Sequence, residues 1–130
     1  MTILALRTDK PAAELAVYED GELLKQDSWH ADRELSTQLN KRINDLLSSA
    51  GKKIDDLEGI VCYEGPGSFT GLRIGLSVGN ALAYGLRIPI AAKSGKDWLK
   101  QGASAIAGGK TDRIVLPKYD SPAGVSEPRK

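Results

Sequence analysis

The chain has 130 residues, 41% hydrophobic and 27% charged, which suits one globular domain. Eighteen Lys and Arg against seventeen Asp and Glu give a net charge of +1, too little for a self-sufficient RNA binder. With no run of about eighteen apolar residues and no signal peptide to read, neither membrane nor export is indicated, and the expected location is the cytoplasm.

In chain order, Thr2 to Leu6 reads as a strand, Lys10-Pro11 as a turn, and Glu14 to Tyr18 as a second strand. Glu19-Asp20-Gly21 then makes a hairpin turn into a third strand, Glu22 to Ser28. A helix is predicted from Asp32 to Ala50. Leu35, Leu39, Ile43, Leu46, Leu47 and Ala50 lie on one side of it, and Gly51 ends it. Arg33, Gln38, Lys41, Asn44 and Asp45 form its polar face, and Leu39 is taken as an edge position. Ile60 to Tyr63 is the fourth strand and Ile88 to Ala92 the fifth, with a glycine-rich helix between them. Asp97 to Ala107 is a third helix with Trp98, Leu99, Ala103 and Ile106 inward, and Arg113 to Leu116 adds a last short strand.

The densest signal is Gly65-Pro66-Gly67-Ser68-Phe69-Thr70-Gly71-Leu72-Arg73-Ile74-Gly75, directly after the fourth strand. Gly65-Pro66-Gly67 is a sharp turn, and Ser68 can cap the helix that follows. From Ser68 to Tyr84 the only charged residue is Arg73. Gly67, Gly71, Gly75, Gly79 and Ala83 recur every four residues, which stacks them in one ridge along the helix. Each interior glycine costs about 1 kcal/mol relative to alanine, so close packing against the ridge must compensate. One side of so apolar a helix can meet its own sheet and the other another protein. A phosphate-binding turn is the competing reading. The glycines are not followed by Lys-Ser or Lys-Thr, which excludes a P-loop, and motif chemistry favours packing.

The string GPGSFTGLRIG, followed by Asn80-Ala81-Leu82-Ala83 and Ile88-Pro89-Ile90, closely resembles the signature of the bacterial TsaB (YeaZ) family. Thr2-Ile3-Leu4-Ala5-Leu6 resembles that family's first strand, and Arg33-Glu34-Leu35-Ser36-Thr37-Gln38 the start of its first helix. The resemblance runs to about Lys100. It implies an α/β, ribonuclease-H-like lobe of the actin/hexokinase (ASKHA) superfamily, with a mixed five-stranded sheet and flanking helices. It implies a non-catalytic subunit of the tRNA threonylcarbamoyladenosine machinery that binds and activates TsaD as a heterodimer, with TsaE a further partner and tRNA met only through the complex. Family members pair through helices of the N-terminal lobe. The expected partner residues here are Leu35, Leu39, Ser68, Phe69, Gly71, Leu72, Arg73, Gly75, Leu76, Gly79 and Ala83. Usual members carry a second, related lobe, and 130 residues leave no room for it. The expected organisation is one lobe over residues 1–116 and a proline-rich basic tail over 117–130.

Chemistry by the chain itself is not expected, nor a cofactor or a metal. An actin-like ATPase needs an acid at the end of the first strand, where Arg7 stands, and Asp9 could substitute only if the register slips. Asp9 and Glu64 are the one plausible carboxylate pair for a two-metal nuclease, and Glu64 is more simply a turn residue. His30 is the sole histidine, expected on an exposed loop, so neither a zinc site nor a Ser-His-Asp triad can be assembled. Cys62, the sole cysteine, reads as a buried apolar residue. Trp98 and Tyr84 read as packing residues or interface anchors. Residues 1–92 carry ten basic and thirteen acidic side chains (−3), and residues 93–130 eight and four (+4), which reads as a solvated basic terminus, with contact to tRNA phosphates the competing reading. The alternatives are a residual nucleotide-binding or ATPase lobe and a homodimeric module pairing through the same apolar face.

Overall fold

A computed structural model of the chain describes residues 1–31, 34–67 and 69–109. Strands β1 (Thr2–Arg7), β2 (Ala12–Glu19) and β3 (Glu22–His30) precede helix α1 (Leu35–Ser49). Strand β4 (Gly59–Tyr63), helix α2 (Phe69–Leu86), strand β5 (Ile90–Lys93) and helix α3 (Trp98–Ala107) follow. The sheet order is β3-β2-β1-β4-β5, with β1, β2 and β3 antiparallel in sequence and β4 parallel to both β1 and β5. The expected last strand at Arg113 to Leu116 and the tail lie outside the described residues, as do Asp32, Arg33 and Ser68.

The period of two in the strands assigns the layers. Leu4, Leu6, Ile60, Cys62, Ile90 and Ala92 point to one face, where they pack with Leu35, Leu39, Ile43, Leu47 and Leu76 of α1 and α2. Ile3, Val61 and Ala91 point to the other face and meet Ile106 of α3. Helices on both faces explain why Ile3, Leu4, Ala5 and Leu6 are all buried rather than alternating. Gly102 lets α3 lie directly on β4, since a Cβ there would overlap the side chain of Val61.

Local signals account for the element ends. Asp20 and Gly21 have φ of +52° and +86°, the pair of positive values that a two-residue hairpin with right-handed strand twist requires. Gly51, at φ +74°, closes α1: its amide donates to the Ser48 carbonyl at 3.0 Å and that of Lys52 to Leu47 at 2.8 Å. The start of α1 is later than expected, at Leu35, and His30 ends β3 rather than lying on a loop. The hairpin is longer than hydrophobicity alone marked, because the backbone ladder continues through polar pairs such as Glu14 with Ser28. Polar contacts tie α1 to β3. The Trp29 indole donates to Gln38 at 3.0 Å, and Arg42 stacks over the Trp29 ring while pairing with Asp27 at 3.1 Å.

Candidate functional site

The glycine ridge faces the chain's own sheet. A Cβ at Gly75 would overlap Thr8 Oγ1, one at Gly67 would overlap Asp9, and one at Gly79 would sit 2.8 Å from Cys62 Sγ. Thr8 makes the contact polar as well as close, its hydroxyl donating to the Gly71 carbonyl at 2.7 Å. Leu72, Gly75, Leu76, Gly79 and Ala83 are buried in this way, and Leu35 and Leu39 are buried on α1. This corrects the expectation that these seven residues form the partner surface. The close approach that offsets the helix cost of the glycines is made by Thr8 and Asp9, just past the end of β1, and by β4 and β5. Leu39, expected at an edge, is fully buried in the core. Of the other expected partner residues, Gly71 is half-buried and Arg73 exposed. Ser68 and the side chain of Phe69 lie outside the described residues.

The opposite side of α2 is a different surface. Thr70, Arg73, Ser77, Ala81 and Tyr84 are exposed and follow one another at helical spacing, with Arg73 the one charge among them. Tyr84 is 89% exposed, so it is not one of the core packing residues. Between this row and the start of α1 lies a groove of about 380 Å³ lined by Ser36, Thr70, Arg73, Ile74, Ser77 and Val78. Its floor is apolar and continuous with the core through Ile74 and Val78, and its walls are small hydroxyl side chains. Sequence reasoning did not select Ser36, Thr70, Ser77 or Ala81. Both sides of α2 are uncharged over most of their length, so polarity did not separate them. The i, i+4 spacing of Arg73, Ser77 and Ala81, out of phase with the glycines, was the available signal.

The end of the sheet where an actin-like site would lie is occupied by an internal ion pair. Arg7 donates from Nε to Asp9 at 2.7 Å and from Nη2 at 3.2 Å, and the hydrogen bond to Asp9 raises the guanidinium pKa above its usual value. The same guanidinium lies 3.9 Å from the centre of the Tyr63 ring, which meets Trp98 edge to face at 5.8 Å. Asp9 is buried, and the Glu64 carboxylate accepts from Ser94 at 3.1 Å. Among the described residues no group of three or more His, Cys, Asp or Glu is placed to hold a metal ion. Cys62 is fully buried, and burial pushes its thiol pKa up to about 12. Among the described residues no helix is long and apolar enough to cross a membrane.

Known proteins place this architecture. The model of the TsaD family, tRNA N6-adenosine threonylcarbamoyltransferase, matches residues 29–122. The tRNA threonylcarbamoyladenosine biosynthesis protein TsaB of Bacillus subtilis is 31% identical over 124 residues, 95% of this chain and 52% of its own length. The structure of YeaZ from Pseudomonas aeruginosa superposes with a TM-score of 0.65 at 33% identity, over 72% of this chain and 45% of that one. The chain thus spans about half the length of the curated relatives it matches. RuvC of T. thermophilus shares the fold alone, at a TM-score of 0.54 and 13% identity. With signature, sheet order and relatives in agreement, the chain belongs to the TsaB (YeaZ) family and has that family's ribonuclease-H-like, ASKHA-type α/β lobe.

Proposed function

We propose that the chain serves tRNA threonylcarbamoyladenosine biosynthesis as a non-catalytic subunit that binds a TsaD homologue through the outer side of α2 and the start of α1. The observation that carries this reading is the row Thr70, Arg73, Ser77, Ala81 and Tyr84 beside the groove at Ser36, Ile74 and Val78. A row with Arg73 as its one charge among five exposed residues, and with the Tyr84 ring 89% exposed, is suited to burial against a second helix. Small side chains at Thr70, Ser77 and Ala81 allow close approach of a partner backbone, and Tyr84 supplies large contact area at low entropic cost. The threonylcarbamoyladenosine machinery enters through the names of the relatives. TsaE and tRNA are then met in the assembled complex.

The non-catalytic role rests on Arg7. A nucleotide's magnesium ion at the end of β1 would face a guanidinium held by Asp9 and Tyr63, with the Asp9 carboxylate already engaged in the ion pair. Co-expression with the TsaD homologue of the same organism tests the reading: a stable one-to-one complex on gel filtration is expected, and its absence overturns it.

A further inference from the structure

Charge is unevenly distributed along the chain. Residues 1–92 carry −3, whereas residues 93–109 hold three lysines and one aspartate, +2. Lys93 ends β5, Lys96 lies in the turn after it, and Lys100 is in the first turn of α3. Lys96 and Lys100 are exposed and Lys93 is half-buried. Lys10, Lys41 and Lys52 each pair with a carboxylate, Glu14, Asp45 and Glu19 in turn. Lys93, Lys96 and Lys100 pair with no described carboxylate, although Asp97 lies among them in sequence. A groove of about 680 Å³ runs beside α3, lined by Lys93, Lys100, Gln101, Ser104 and Ala105, with Asp97 its one acid. Lys100 and Asp97 also line a neighbouring cavity of about 410 Å³ together with Lys96. Lys100 thus stands between the two hollows, with Lys93 on one side and Lys96 on the other.

We infer that this lysine-lined flank of α3 is a contact for the phosphodiester backbone of RNA, and, resting on the function proposed above, that the RNA is the tRNA held by the complex. Ammonium groups not engaged by a carboxylate are available to replace the counterions of phosphates. Gln101 and Ser104 add the neutral hydrogen-bond donors that fix a sugar-phosphate chain in register. Among the described residues no aromatic or large apolar side chain lines the groove, so bases have nothing to stack on and the contact is with the backbone. The same lack disfavours a protein partner, whose interface would need an apolar centre. Helix α3 packs on the face of the sheet opposite α1 and α2, so its lysines stay open to solvent when the outer side of α2 is covered. A net +2 is small, so the flank adds to an affinity that the whole complex supplies.

The test is tRNA binding by the complex with the TsaD homologue, followed by fluorescence anisotropy over a series of salt concentrations. Wild type is compared with the double variant Lys96→Gln, Lys100→Gln and with Lys25→Gln, an exposed lysine on β3 that likewise has no ion pair. The double variant is expected to bind more weakly at every salt concentration. Its slope of log affinity against log salt should be shallower by about two, one for each lysine. Lys25→Gln should match wild type. Unchanged affinity and slope in the double variant overturn the inference. A loss in Lys25→Gln as large per charge as in the double variant shows an effect of net charge alone and also overturns it. Failure of the double variant to assemble with the TsaD homologue assigns the flank to a protein contact, with the same consequence. A wild-type chain that forms no complex contradicts the proposed function instead, and the same slopes measured on the isolated chain at low salt then decide the role of the lysines.

Discussion

Thr8 and Gly75 set the distance between β1 and α2. The Thr8 hydroxyl reaches the Gly71 carbonyl at 2.7 Å only because position 75 has no side chain. In Gly75→Ala the methyl group gains about 1 kcal/mol of helix propensity but meets a side chain that cannot retreat, at a cost of about 1–3 kcal/mol. A lower melting temperature than wild type is expected by calorimetry, and a smaller penalty in a Thr8→Ala background, where the obstructing oxygen is gone. Equal penalties in both backgrounds would place the obstruction elsewhere. Cys62 gives a second readout of the same layer. Its folded pKa of about 12 lies above the ordinary thiol value near 9, so the neutral thiol favours the fold. That contribution is complete below about pH 9 and is lost as pH rises towards 12, at up to about 1.4 kcal/mol per pH unit. A thiol reagent at pH 8 should label the unfolded chain and spare the native one, and denaturation midpoints in Cys62→Ala should fall less steeply with pH between 9 and 11.

At the scale of elements, the two helices on the same face end differently. After α1 the left-handed position is taken by Gly51, but after α2 it is taken by Arg87, at φ +59°, although the hydrogen bonds are the same pair: Arg87 to Tyr84 at 3.3 Å and Ile88 to Ala83 at 3.0 Å. A side chain in that conformation costs about 1–2 kcal/mol, so Arg87→Gly should stabilise the chain by about 1 kcal/mol in urea titrations. Leu39→Lys places a charge in the centre of α1's buried face and should abolish folding rather than report on a partner. The elements were largely legible in the sequence, because Asp20-Gly21 and Gly51 are strong local signals and the strands differ sharply in pattern from the helices. The site was less so. Gly75, Gly79 and Ala83 announced a close contact, but a four-residue repeat cannot say which neighbour makes it. The neighbours are Thr8, Cys62 and Ile90, brought there only by the pairing of β4 with β1 and β5. Ser77 and Ala81 are small and uncharged, so only their i, i+4 spacing from Arg73, not their polarity, distinguished a surface from a core.

For the molecule as a whole, α2 is the element on which the functional reading turns. One side is spent on the chain's own sheet, and the other, from Thr70 to Tyr84, carries the exposed row that the proposal assigns to a partner. At the end of the same sheet the Arg7–Asp9 pair stands where a nucleotide would need an open carboxylate, so calorimetry with ATP and magnesium should detect no micromolar binding by the isolated chain. Micromolar binding that is lost in Arg7→Ala would contradict the non-catalytic reading. The most direct test of the central claim is the affinity for the TsaD homologue of the same organism, measured for wild type, Ser77→Glu and Tyr84→Ala alongside their melting temperatures. Both residues are exposed, so the melting temperatures should stay within about 2 °C of wild type. The account predicts that each substitution weakens binding by about tenfold or more, as expected for a charge or a lost anchor at the centre of a contact. Wild-type affinity in both variants would contradict it.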